Sequence, residues 1–122
     1  MLTSKSLSLK PSSHSSINSL RLERILVFNI LKFNNNPYKV ISNANIFVLS
    51  SKYEGLPNVL LEAIALKKFI ISTNCPTGPR EILMKGKLGF LYKIGDYRNL
   101  SNLILKYYYN QKRLNYKIQK AY

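Results

Sequence analysis

The chain has 122 residues, 46% hydrophobic and 20% charged, which sets a limit of one ordered domain with a modest core and excludes a disordered chain. Nineteen Lys and Arg against five Asp and Glu give a formal net charge of +14, a balance that favours polyanions such as nucleic acid, anionic headgroups or phosphorylated small molecules. The single cysteine, Cys75, excludes an internal disulfide framework and a Cys-based zinc site, and no apolar run approaches the ~20 residues of a membrane span.

The lysines are scattered singly except at Lys67-Lys68, and they accompany many Asn, Ile and Tyr, so a compositional bias accounts for the charge as well as a polyanion site does. His14, the only histidine, lies in a Ser-rich stretch and reads as a solvated loop residue. The expectation is a cytoplasmic protein, soluble or peripheral at the inner face of the membrane.

In chain order, residues 1–20 are Ser-rich and predict a disordered or weakly ordered segment, followed over 21–122 by an ordered domain. Ile25–Leu31 is β-branched and aromatic and predicts a strand. Asn34-Asn35-Asn36-Pro37 marks a turn, with Pro37 opening a short helix to about Ser42. Asn45–Ser50 is apolar on both faces, as a central strand of a parallel sheet is. Ser51–Leu56 is a loop, and Pro57 opens a helix to about Lys67 whose apolar face holds Val59, Leu60, Ala63, Ile64 and Leu66.

Phe69–Thr73 predicts a second buried strand. A turn over Asn74–Gly78 follows, then a helix from Pro79 to about Met84 that Gly86 can cap. Leu88–Tyr92 is a short strand, and Gly95-Asp96 leads into a helical region from Tyr97 towards the end. Strands of about five residues alternating with helices of about ten point to βαβ units. The fold class is therefore α/β: an incomplete Rossmann-like parallel sheet with flanking helices.

The stretch Tyr53-Glu54-Gly55-Leu56-Pro57-Asn58-Val59-Leu60-Leu61-Glu62 holds two of the five carboxylates, eight residues apart. Glu54 falls at the carboxyl end of a buried strand, where open α/β sheets bind ligands. Glu62 falls about one and a half turns into the next helix. Gly55 lets a ligand approach the backbone, and the start of the helix offers free N–H groups and a positive dipole end to a diphosphate. Carboxylates beside phosphate suit hydroxyl groups of a ribose and a sugar. The plain alternative is a solvated Glu54 and a Glu62 placed to favour an early helical turn.

The run from Phe47 to Ala63 resembles the Glu-x7-Glu signature of family 4 retaining glycosyltransferases, within glycosyl transferases group 1. The similarity continues through Ser72–Leu83 and Gly86-Lys87-Leu88-Gly89, with Asn36-Pro37-Tyr38 upstream, and spans roughly residues 25 to 110. It implies the C-terminal, donor-binding half of a GT-B fold. It also implies a nucleotide-sugar donor, a glycan or lipid-linked acceptor, and no metal or cofactor. The Glu62 position would bind the donor ribose. The Glu54 position, the catalytic candidate, would contact the transferred sugar, and Gly55, Leu56, Pro57 and Asn58 would face the sugar and diphosphate.

Thr77-Gly78-Pro79-Arg80-Glu81 resembles members that use UDP-linked N-acetylated sugars or hexoses. An ordinary ion pair between Arg80 and Glu81 is the alternative there. Cys75 is expected to pack in its turn.

Residues 1–20 have no counterpart in the family, nor do Arg21 and Arg24 match its diphosphate-binding Arg and Lys. The family's N-terminal, acceptor-side domain has no counterpart either. The expectation is a chain inactive alone, or one completed by a separate chain that supplies that domain. A small basic nucleic-acid-binding protein is the alternative function, through Lys106–Tyr109, Lys112, Arg113, Tyr116, Lys117 and Lys120. Against it stands an amphipathic helix packing Leu103, Ile104, Tyr107 and Leu114. Weak binding of the same helix to a membrane surface is a third possibility.

Overall fold

A computed structural model describes residues 6–11, 26–31, 36–55 and 57–121, with the backbone alone in the first two segments. The rest of residues 1–20, with His14, and also Arg21, Arg24 and Leu56 lie outside the described residues. In chain order the elements are β1 (Ser6–Pro11), β2 (Leu26–Leu31), α1 (Pro37–Ser42), β3 (Ile46–Leu49), α2 (Asn58–Ala65), β4 (Phe69–Thr73), α3 (Pro79–Ile82), β5 (Gly89–Tyr92) and α4 (Tyr97–Ala121), with a 3-10 turn at Met84–Gly86.

The apolar runs expected as strands make the parallel part of the sheet. β3 pairs with β4 and β4 with β5, Ile46 standing opposite Phe69 and Ile70 opposite Gly89. Every residue of β3 and β4 is buried, as it must be where both faces of a parallel sheet are covered. A Cβ on Gly89 would run into the Ile70 carbonyl oxygen, so this ladder closes only over a glycine.

The sheet order is β2-β1-β3-β4-β5, with β1 antiparallel to both its neighbours. The expected parallel sheet is thus confined to β3–β5, and the far side is antiparallel. β2 matches the strand expected over Ile25–Leu31 but pairs with β1 rather than with the parallel set. β1 departs from the weak order expected over residues 1–20. Its sequence, Ser-Leu-Ser-Leu-Lys, alternates at the period of a strand, and the edge of β3 offers backbone groups that need partners.

α1 spans Pro37–Ser42 as expected, whereas α2 and α3 start where prolines suggest and stop earlier. α2 begins at Asn58, with Pro57 as the extended residue before it, and ends at Ala65 rather than Lys67. Lys67 adopts a left-handed φ of 53°, and the Lys68 amide returns to the Ala63 carbonyl at 2.9 Å. Lys68 Nζ donates to the Ser42 carbonyl (2.8 Å), joining α2's exit to the end of α1, and burial lowers its pKa from the usual lysine value. α3 has only four residues because Met84 and Lys85 take positive φ.

α4 buries Ile104, Tyr107, Leu114 and Ile118, with Leu103 partly buried, and is the amphipathic helix expected there. It bends at Asn110 (φ −125°), whose side-chain amide donates to the Lys106 carbonyl at 2.9 Å. The Tyr107 ring stacks on Phe69 (5.2 Å between centroids), and Phe69 meets Phe90 edge to face at 4.9 Å. The Tyr107 hydroxyl donates to the Asn45 carbonyl (2.8 Å). These contacts hold α4 to the amino ends of β3 and β4, away from the edge described next.

Candidate functional site

β3, β4 and β5 run parallel, so the loops over 50–57, 74–78 and 93–96 leave the sheet from one edge. Glu54 and Gly55 lie in the first loop, which is stitched to the second. Thr77 Oγ1 donates to the Glu54 carbonyl at 2.8 Å. Gly78, at φ 92°, lies flat against the first loop: a Cβ on it would collide with the Gly55 carbonyl oxygen and lie 2.8 Å from Pro57 Cδ. The backbone on both sides of Gly55 is therefore held from behind. In front it is open, since a Cβ built on Gly55 meets nothing within 4 Å among the described residues.

α2 starts at the same edge. The Leu60 amide donates to the Pro57 carbonyl at 2.9 Å, the Asn58 and Val59 amides have no acceptor within the helix, and among the described residues no side chain caps this end and no acidic residue lies in the first turn. The positive end of the dipole therefore has no acidic side chain in its own first turn to offset it. Asn58 and Glu62 are four residues apart and share one stripe of α2, Asn58 exposed and Glu62 half-buried. The structure therefore brings Glu54, Gly55, Pro57, Asn58 and Glu62 to one edge, while Leu56 lies outside the described residues. Asp96, at the same edge, is occupied in capping α4 through the Asn99 amide (3.0 Å).

A polar layer underlies the loops. Thr73 Oγ1 and Cys75 Sγ both donate to the Ser51 carbonyl, at 2.6 and 3.2 Å, so Cys75 is a buried packing residue as expected. The Asn74 amide donates to the Tyr92 carbonyl (2.7 Å), joining the ends of β4 and β5. The Ser51 and Tyr92 hydroxyls are buried without a hydrogen-bond partner among the described residues.

Burial, with smaller effects from Tyr97 and Cys75, pushes the Tyr92 pKa from 10.0 up to about 12. Below pH 10 both folded and unfolded chains keep this tyrosine neutral. Between about pH 10 and 12 the unfolded chain ionises first, so stability falls as pH rises. Tyr107, raised by burial too, adds to the fall. Tyr92→Phe is expected to hold or gain stability at neutral pH, having no hydrogen bond to lose, and to flatten the alkaline fall. Urea unfolding at neutral and alkaline pH checks it, and an unchanged fall would rule out Tyr92 as a source.

Thr77 and Gly78 act as a clamp that the carboxylate spacing does not reveal; the signal for it is a Thr-Gly-Pro turn after a buried strand. Arg80 and Glu81 are both exposed on α3, where adjacent helical residues do not face each other.

A parallel sheet that gathers two acidic side chains and a helix start at its carboxyl edge has the architecture of the open α/β folds, in which that edge is where ligands bind. The chain belongs to the glycosyl transferases group 1 family, whose model matches residues 15–122. It is 48% identical over 67 residues to an uncharacterized glycosyltransferase of Methanocaldococcus jannaschii, covering 55% of this chain and 16% of that protein. It is 32% identical over 80 residues to the N-acetylgalactosamine-N,N'-diacetylbacillosaminyl-diphospho-undecaprenol 4-alpha-N-acetylgalactosaminyltransferase of Campylobacter jejuni, covering 66% of this chain and 21% of that one. The crystal structure of TarM is similar in fold, with a TM-score of 0.65 at 22% identity over 73% of this chain and 18% of that one. The expected GT-B type α/β architecture is borne out. The chain spans 16% and 21% of the lengths of the two relatives.

Proposed function

We propose that residues 21–122 form the donor-binding half of a retaining glycosyltransferase that takes a UDP-sugar. Glu62 accepts hydrogen bonds from the ribose hydroxyls, and the first-turn amides of α2 take the diphosphate charge in place of a metal. Glu54 contacts the transferred sugar beside its reacting carbon, and Gly55, Leu56, Pro57 and Asn58 face the sugar and diphosphate. In the reaction the bond from the anomeric carbon to the diphosphate breaks. The acceptor oxygen bonds that carbon on the same face, and its proton leaves with the diphosphate. The observation that carries this reading is the open Gly55 backbone between Glu54 and the start of α2.

The site described has one wall, so transfer needs acceptor-side groups from elsewhere, in a longer chain or in a separate one. The acceptor is a glycan or a lipid-linked glycan. The Campylobacter relative, whose name describes transfer to a diphospho-undecaprenol-linked sugar, supports that class. The chain alone is expected to bind donor without transferring its sugar.

Calorimetric titration with UDP tests the reading. Glu62→Ala is expected to weaken UDP roughly tenfold or more, the effect of a lost charge-assisted hydrogen bond. Glu54→Ala is expected to leave UDP unchanged and weaken the UDP-sugar. A folded wild type that ignores UDP, or a Glu62→Ala variant that binds as wild type does, would overturn it.

A further inference from the structure

α4 carries six Lys and Arg, and none of the chain's five Asp and Glu follows Asp96. Before the bend, Arg98 and Lys106 stand apart from each other. Beyond it lie four cations, and three of them, all but Lys112, fall into order. Arg113, Tyr116, Lys117 and Lys120 recur at i, i+3, i+4 and i+7, the spacing of one helical face. With Leu114 they line a concave surface of about 530 Å³. Tyr116 is 57% exposed, and Lys120 Nζ lies 5.1 Å over its ring.

We propose that this face docks on an anionic membrane surface, with Arg113, Lys117 and Lys120 against lipid phosphates and Tyr116 at headgroup level. The apolar residues of this half of α4, Leu114 and Ile118, already belong to the core, so the helix has no apolar stripe left to insert. Among the described residues, no helix is long and apolar enough to cross a membrane. Attraction is therefore electrostatic and reversible. Each basic residue near an anionic surface favours it by roughly fivefold, so three together give on the order of a hundredfold.

A single-stranded nucleic acid fits this face less well, because it needs a row of open aromatic rings for stacking. Here the ring of Tyr116 lies under Lys120, and Tyr109, before the bend, packs edge to face on Tyr108 at 5.4 Å. An exposed tyrosine among cations is the composition of a membrane interface. The docking face is independent of the carboxylate edge, so it stands whether or not the chain binds a nucleotide-sugar.

Sedimentation of the chain with vesicles tests it. The chain is expected to sediment with equal-part phosphatidylglycerol–phosphatidylcholine vesicles, to stay in solution with pure phosphatidylcholine, and to be released by high salt. Arg113→Glu/Lys117→Glu is expected to weaken binding at least tenfold. Lys87→Glu/Lys93→Glu, an equal change of charge at exposed positions off α4, is expected to weaken it by less than about threefold. Circular dichroism confirms that both variants are folded. Equal weakening by the two pairs would overturn the proposal in favour of diffuse attraction to the +14 chain. Absence of enrichment on the anionic vesicles would overturn it as well, as would binding to single-stranded RNA that exceeds binding to the vesicles.

Discussion

Gly78→Ala is expected to cost the chain about 3 kcal/mol of stability and to weaken UDP binding in whatever fraction stays folded. Two effects add. The residue sits at φ 92°, ψ −81°, a conformation that L side chains rarely adopt. Its Cβ would also meet backbone, the Gly55 carbonyl oxygen, which cannot rotate away as a side chain can. Relief requires the two loops to part, which strains the Thr77–Glu54 hydrogen bond and shifts Gly55 against the start of α2. Gly55→Ala is the matching control. Its Cβ meets nothing and its φ is not positive, so its stability should stay within about 0.5 kcal/mol of wild type while UDP-sugar affinity falls. Urea unfolding and calorimetry on the two variants separate the roles. A Gly78→Ala chain as stable as wild type would mean that the loops are not stitched.

The two glycines show what the sequence makes legible and what it hides. Gly55 announces itself, because a glycine between a strand-end carboxylate and a helix-opening proline has few structural reasons to be there. Gly78 is equally visible as a turn residue, yet its contact is with a loop 23 residues earlier, and nothing local in the chain records that distance. The strands β3 and β4 are legible because burial on both faces forces continuous apolar runs, and β5, half-buried at Phe90 and Leu91, still reads as a short apolar run. β1 was marked only by Ser-Leu-Ser-Leu, an alternation too short to stand out from a Ser-rich segment, and its place beside β3 depends on a free edge that only the assembled sheet possesses. Helix ends were the least legible feature. α2 and α3 stop where Lys67, Met84 and Lys85 adopt positive φ, a conformation that neither lysine nor methionine advertises.

Phe69→Ala is expected to cost about 3–5 kcal/mol, a large share of the ~5–15 kcal/mol that holds a domain together. Phe69 is 3% exposed and lies between Phe90 and Tyr107, so its removal leaves a cavity and also undoes a stacked and an edge-to-face pair. Phe69→Leu keeps most of the volume and should cost only about 1–2 kcal/mol. The position of Phe69 gives the experiment its value. It opens β4, and Thr73, at the other end of the strand, lies about 13 Å away at the rise of an extended chain. Phe69→Leu should therefore lower the urea midpoint and leave the affinity of the folded chain for UDP unchanged, whereas Gly78→Ala should lower both. If Phe69→Leu weakened UDP as much as it weakened the fold, the aromatic cluster under α4 and the carboxyl edge would be one coupled unit. If it does not, the sheet divides its labour by end: the amino end anchors α4 and supplies stability, and the carboxyl end is free to carry chemistry.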